Sequence, residues 1–161
     1  MKIYLKRDTS EENSRYIVYT ESGDEKYKVV GKRKASFERA YVMLKDDCVA
    51  KIRDTHLGVI RTYYVTTKEN NFHIVMTLSR DKVSIAYHGV SLHIRGDVLN
   101  KSYDILNIDN SVVACVCRRF SDKGDALEIN INDNNFEMAC IASAICLDSV
   151  CTTDSLVLQA T

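Results

Sequence analysis

The feature that most constrains the fold is a segment near the C-terminus that is apolar on every side. From Phe136 to Leu147 nearly all side chains are apolar, and many of them are small. An α-helix turns about 100° per residue, so a helix over this segment would have no polar face and must be buried all round. Asn134, with Glu137 three residues later, predicts that the helix begins with a capping box.

Most of the remaining chain has the pattern of β-strands. Apolar and polar residues alternate in short blocks, which are separated by Gly, Asn, Asp or Ser. Residue pairs typical of tight hairpins stand between several blocks, so consecutive strands should run antiparallel. The predicted strands are Lys2–Arg7, Arg15–Thr20, Glu25–Gly31, Ala40–Lys45, Cys48–Arg53, Gly58–Thr67, Asn70–Leu78, Asp81–Tyr87, Val90–Arg95, Lys101–Asn107, Ser111–Arg119 and Asp125–Asn132.

Together these patterns predict a mainly β fold, a closed antiparallel barrel of about twelve strands around a central apolar C-terminal helix. Closing the sheet removes exposed edges, which matters because the chain contains no Pro that could protect an edge strand. The 161 residues, 45% of them apolar, are typical of one domain. We therefore expect a single domain over residues 1–161.

Composition argues against several classes of protein. The chain has 22 Lys and Arg against 22 Asp and Glu, and this balance gives no reason to expect nucleic acid as a partner. Charged residues interrupt the apolar residues at the N-terminus, unlike a secretory signal, and the longest apolar segment is far shorter than the roughly 20 residues of a transmembrane helix. We expect a cytoplasmic protein with no transmembrane segment.

The six cysteines and four histidines do not form a pattern typical of a metal site. Cys115 and Cys117 would share one face of a strand, whereas Cys140 and Cys146 would lie about 240° apart around a helix. The sequence has no pair of Cys-x-x-Cys motifs, so we expect buried, reduced thiols, no metal and no cofactor. No motif surrounds a candidate nucleophile, and a filled barrel leaves little room for a substrate, so we predict no catalytic residues.

Charge is distributed unevenly along the chain. Residues 1–68 carry 15 basic and 10 acidic side chains, whereas residues 69–161 carry 7 and 12. The densest basic region includes Lys32, Arg33, Lys34 and Arg39, which we predict as ligand-binding residues, with Phe37 among them. Such cations can hold an anionic headgroup or a phosphate, each contributing about 1 kcal/mol near a charged membrane. The alternative is a solvated sheet edge whose charges only guard the apolar strands.

Several short motifs, in this order, resemble the LURP-one-related family of the tubby-like superfamily, most strongly over residues 27–148. The resemblance implies a twelve-stranded barrel around a central helix. The related tubby domain binds phosphoinositides, and phospholipid scramblases are thought to share the fold, but no lipid-contacting residue of tubby can be matched onto this chain. The motifs are Val30-Gly31-Lys32 with Phe37, Val49–Ile52, Gly96–Ile105, Val112–Ala114 and Asp125–Ile129.

Three classes of function follow. The favoured one is a non-enzymatic binding domain that recognises anionic lipid or a phosphorylated ligand, which would place the protein at the membrane periphery. The alternatives are a protein–protein interaction or scaffold module and an enzyme of unknown class. A contiguous basic surface would favour the first, an exposed apolar patch the second, and a cleft with perturbed titratable groups the third.

Overall fold

The computed structural model of the chain describes the backbone of residues 1–31, 39–121 and 124–160, and the side chains of these ranges as far as Cys151. It contains twelve strands, one short 3₁₀ helix and one α-helix. The elements are β1 (Lys2–Arg7), β2 (Ser14–Thr20), β3 (Glu25–Gly31), β4 (Arg39–Leu44), β5 (Asp47–Leu57), β6 (Ile60–Thr67), β7 (Asn71–Leu78), β8 (Val83–His88), β9 (Leu92–Asp97), β10 (Ser102–Asn107), β11 (Val112–Arg119), β12 (Ala126–Ile131), the 3₁₀ turn Asn134–Phe136 and α1 (Glu137–Ala160).

The twelve strands form one antiparallel sheet. With one exception, every two strands that are adjacent in the sheet are also consecutive in the sequence. The sheet order is β8-β7-β6-β5-β4-β3-β2-β1-β12-β11-β10-β9, so β1 pairs with β12. The free edges are therefore β8 and β9, two consecutive strands in the middle of the chain. The predicted barrel is confirmed, although it is nearly rather than fully closed, because the described residues form no ladder between β8 and β9.

Helix α1 fills the barrel, as its apolar character predicts. Ile141, Ile145 and Leu147 are almost inaccessible to solvent, and they pack against inward-facing strand residues such as Ile3 and Ile74. A barrel of about eight strands can be filled by side chains alone, so a larger one needs an occupant such as a helix. Two buried polar residues bond to the helix itself, since the hydroxyls of Ser143 and Ser149 donate to carbonyl oxygens four residues earlier at 2.7 Å.

The helix begins differently from the predicted capping box. Asp133 caps the 3₁₀ turn that leads into α1, and its carboxylate accepts from the backbone N–H of Asn135 at 3.0 Å, one residue before the expected Asn134. Glu137 does not complete a box, because its carboxylate is taken by Lys26 and by the hydroxyl of Tyr27 at 3.0 Å. The helix also continues past the predicted end at Leu147 to Ala160.

Alternation of strand direction gives the barrel two distinct ends. At the end that we call the upper end, the odd-numbered strands finish and the even-numbered strands start. The helix starts at the lower end, beside Ile131, and reaches the upper end near Asp148. The upper end consequently carries the β5–β6, β7–β8 and β9–β10 turns and the residues that flank segment 32–38.

Candidate functional site

The outer surface of β4, β5 and β6 carries a cluster of cationic and aromatic side chains around a shallow depression of about 450 Å³. We call this surface the basic face. Its outward-pointing members are Arg39 and Tyr41 of β4, Lys51 and Arg53 of β5, and Tyr64 and Thr66 of β6.

The basic face follows from the side-chain alternation of the three strands. In β5, Ala50 and Ile52 are buried in the barrel, so Lys51 and Arg53 must point outward. The register then sets the neighbours across the sheet. Arg39 lies opposite Arg53 and Tyr41 lies opposite Lys51, while on the other side Arg53 faces Tyr64 and Lys51 faces Thr66.

The cations of the basic face are not neutralised by the described part of the protein. No described carboxylate lies within 4.0 Å of the charged groups of Arg39, Lys51 or Arg53. Like charges directly opposite each other destabilise a pair of strands, and Arg39 and Arg53 occupy such positions. A bound anion would relieve this repulsion and would supply the missing acceptors.

An aromatic ladder orients one of these cations. The guanidinium carbon of Arg53 lies 4.9 Å from the ring centroid of Tyr64, a distance typical of a cation–π contact. Tyr64 in turn lies 5.5 Å from the ring of His73 on β7, which stacks at 4.9 Å on His88 of β8. The stack holds the Arg53 side chain along the sheet surface, with its remaining N–H groups available at the depression.

Only one of the four predicted ligand-binding residues lies within the described part of the chain. Arg39 begins β4 and belongs to the basic face, whereas Lys32, Arg33 and Lys34 lie outside the described residues. The two residues that flank that segment lie at the upper end, with Arg39 in the basic face and Gly31 on the neighbouring strand β3. The sequence reasoning missed Lys51, Arg53 and Tyr64, although the alternation Lys51-Ile52-Arg53 signals two outward cations on one strand.

A second polar cluster lies where the helix reaches the upper end. Asp148, only 4% exposed, accepts from Arg7 at 2.9 Å, from Lys101 at 2.7 Å and from the hydroxyl of Tyr16 at 2.9 Å. Burial disfavours the charged carboxylate, but Lys101 and Arg7 outweigh that effect and hold the pKa of Asp148 below its ordinary value. The adjoining depression of about 280 Å³ is lined by Arg7 and Lys101, which this carboxylate already binds, and by Arg118 and Asp125. The cluster therefore anchors α1 to the barrel.

A third depression, of about 490 Å³, lies at the lower end around the start of the helix. Its charged residues include Lys68 and Glu69, together with Glu137, which binds Lys26 and Tyr27. Positive and negative groups are therefore mixed in this depression. Of the three depressions, only the basic face presents several cations without a carboxylate beside them.

The thiols and imidazoles of the described residues are not arranged as a metal centre. No three His, Cys, Asp or Glu side chains in this part of the chain converge as ligands for one ion. Burial, reinforced by Asp104, raises the pKa of Cys115 to about 11, and burial raises the pKa of Cys140 to about 12. Thiols with such pKa values stay protonated at neutral pH and behave as small apolar groups.

Within the described residues, no helix has the length and hydropathy that crossing a bilayer would require.

Comparisons with known proteins bear on the fold and the family. The chain is similar to a protein from Arabidopsis thaliana solved by X-ray crystallography, with a TM-score of 0.58 and 15% identity over 92% of this chain and 91% of the other. At that identity the likeness shows a shared fold. No curated protein matches the chain. The model of the LURP-one-related family matches residues 1–148. The chain therefore belongs to the LURP-one-related family.

Proposed function

We propose that this protein is a non-enzymatic binding domain that recognises a phosphate-bearing anion through its basic face. The observation that carries the proposal is the set of three cations on adjacent strands, Arg39, Lys51 and Arg53, without a carboxylate beside them in the described structure. Guanidinium groups suit phosphate because their planar N–H donors match two phosphate oxygens at once. The phosphate could belong to a lipid headgroup or to a free phosphorylated molecule.

Two further features support this proposal. The barrel is filled by its own helix, so the ligand would bind on the outer surface, where a charged headgroup remains accessible. The fold-level resemblance to tubby, which binds phosphoinositides, points in the same direction, but a shared fold does not by itself transfer function. The contribution of the cations to binding is therefore tested on the residues of the basic face.

The test compares two double variants with equal loss of charge. Lys51→Gln with Arg53→Gln removes two cations from the basic face, and Lys2→Gln with Lys6→Gln removes two from β1. Each protein is sedimented with neutral vesicles and with vesicles containing phosphatidylserine or a phosphoinositide, and is titrated in parallel with inositol hexakisphosphate. At about 1 kcal/mol per cation, the basic-face variant should bind roughly 30-fold more weakly than wild type, and the β1 variant nearly normally.

Salt provides a second readout. Binding should weaken as ionic strength rises, because exposed charges act over only about 10 Å in 0.1 M salt. Equal binding by the two double variants, or no binding to any phosphate-bearing probe at low salt, would overturn the proposal. The second result would favour the protein–protein interaction or scaffold alternative.

A triple variant tests the predicted residues Lys32, Arg33 and Lys34 independently of the basic face. We predict that replacing all three by Gln weakens binding to anionic vesicles and leaves the thermal midpoint nearly unchanged. If they only form a solvated edge, the triple variant will bind like wild type. That outcome would confine the site to the basic face.

A further inference from the structure

The β5–β6 hairpin ends in an unusual turn at the upper end of the barrel. Leu57 pairs with Ile60, leaving Gly58 and Val59 as the two turn residues. Gly58 has a φ of +60°, a conformation that glycine adopts without strain and that suits the first position of a two-residue hairpin turn. A tight turn needs only this glycine, so nothing in the backbone requires aliphatic neighbours.

The neighbours of Gly58 are nevertheless aliphatic and exposed. Leu57 is 82% exposed, Val59 60% and Ile60 43%. Turn tips are normally built from polar residues, and a cluster of exposed aliphatic side chains marks a surface that contacts something apolar. We call Leu57, Gly58, Val59 and Ile60 the apolar tip.

Cationic side chains surround the apolar tip. Arg53 precedes it on β5, and Arg61 follows it on β6. The β7–β8 turn lies alongside, since Val59 accepts a backbone hydrogen bond from Leu78 at 3.0 Å. That turn exposes Arg80, Asp81 and Lys82, so its cations outnumber its single carboxylate. An apolar apex within a positively charged collar matches a membrane interface that contains anionic lipid, where acyl chains lie beneath a layer of phosphates.

We propose that the apolar tip inserts into the interface of an anionic membrane while the basic face holds headgroup phosphates. This inference rests on the proposed function and specifies a lipid bilayer as the source of the phosphate. The dimensions of the β5–β6 hairpin support this inference. Arg53 and Leu57 are four residues apart on one face of β5, about 13 Å along the strand. A tip buried 5–10 Å deep would therefore place Arg53 close to the phosphates, toward which its long side chain can extend.

The absence of Trp from the chain makes a direct test possible. A Val59→Trp variant carries one indole at the tip, and an Ile108→Trp variant carries one in the β10–β11 turn at the lower end, where Ile108 is 78% exposed. Both are mixed with phosphatidylserine vesicles whose acyl chains are brominated near the headgroup. We expect the emission of the Val59→Trp variant to shift to the blue and to be quenched, and that of the Ile108→Trp variant to remain unchanged.

A loss-of-insertion variant complements the fluorescence. Leu57→Ser combined with Ile60→Ser should weaken vesicle binding by roughly tenfold or more, since two aliphatic side chains leave the interface, and should leave binding of inositol hexakisphosphate unchanged. Ile108→Ser is the matched control and should bind vesicles normally. The thermal midpoint of each variant confirms that it is folded.

The outcomes separate the two proposals. Vesicle binding that depends on Lys51 and Arg53 but leaves the tip indole of the Val59→Trp variant unquenched would overturn tip insertion and keep the proposed function. Binding of inositol hexakisphosphate without any vesicle binding would do the same. Quenching of the tip indole that persists when Lys51→Gln and Arg53→Gln are added would support insertion and contradict the role of the basic face. Absence of binding to both probes would overturn both proposals.

Discussion

At the scale of single residues, the structure separates charges that stabilise the fold from charges that are left for a partner. Asp148 binds Arg7 and Lys101, and Glu128 binds Arg119, so these ions are satisfied within the chain. Lys51 and Arg53 have no such carboxylate among the described residues. Sequence alone could not distinguish the two kinds of cation, because each pair meets only through the pairing of strands or the packing of the helix in the barrel.

Asp148 provides a prediction about stability. Replacing it by Asn should lower the free energy of unfolding at pH 7 by about 3 kcal/mol, because Arg7 and Lys101 would lose their buried anion. The exposed Asp46→Asn change, in the β4–β5 turn, should cost little. Chemical denaturation of the three proteins measures the difference, and equal stability of the two variants would show that the cluster does not anchor the helix.

The same carboxylate predicts a pH dependence. The pKa of Asp148 is lower in the folded protein than its ordinary value of 3.8, so the ionised form stabilises the fold above that pH. This contribution is lost as the pH falls from 3.8 toward the folded pKa. The gap in unfolding free energy between wild type and Asp148→Asn should therefore narrow below about pH 4. A gap that stays constant between about pH 7 and about pH 3 would contradict the assigned ionisation.

A substitution of Arg53 tests whether the shape of the guanidinium group contributes to binding in addition to its charge. Arg53→Lys keeps the charge but loses the planar donors and much of the stacking on Tyr64, so affinity for inositol hexakisphosphate should fall roughly fivefold. Arg80→Lys, on the β7–β8 turn, should bind this free ligand like wild type. Calorimetric titration distinguishes the two variants, and equal affinities would mean that Arg53 acts only through its charge.

At the scale of secondary structure, alternation predicts the strands well because one face of each is fixed by the barrel core. β1 and β3 have the predicted bounds, and most other strands differ by one or two residues at an end. The main departure is β5, which continues from Arg53 to Leu57. In the sequence, segment 54–57 resembles a loop because it includes the polar residues Thr55 and His56. In the structure, pairing with β6 keeps this segment extended.

The helix was predictable as an element, but its first residue was not. An apolar surface on all sides indicates burial whatever the cap, whereas Asp133 and Asn134 are both favourable capping residues that the sequence does not distinguish. The role of Glu137 could not be predicted either, because its carboxylate binds Lys26 and Tyr27 on β3, which are far from it in the sequence.

The central position of α1 yields a direct prediction. Ile141 has no exposed surface, so Ile141→Asp would place an unpaired charge in the core at a cost of several kcal/mol, comparable with the whole stability of a domain. We expect this variant not to fold. Ile141→Val should lose only about 1 kcal/mol, and Ile108→Asp, at an exposed position, should be nearly neutral. A monomeric Ile141→Asp protein with an unchanged thermal midpoint would contradict a central helix.

At the scale of the whole molecule, a filled barrel leaves its outer surface and its rims for function. The lower end carries the helix start and a mixture of charges, while the upper end carries the apolar tip beside the basic face. The uneven charge of the two halves of the sequence pointed toward the N-terminal strands. It did not identify β5 and β6, because only the sheet register brings Arg39, Lys51 and Arg53 together.

The most direct test of this account is to map where a phosphate-bearing ligand contacts the protein. Two-dimensional ¹H–¹⁵N NMR spectra would be recorded during titration with inositol hexakisphosphate. We predict that the largest amide shifts fall on Tyr41, Lys51, Arg53 and Tyr64, and that the outer residues of β1, Lys2 and Tyr4, hardly move. Shifts concentrated on another surface, or no shift at saturating ligand, would contradict the assignment of the basic face as the binding site.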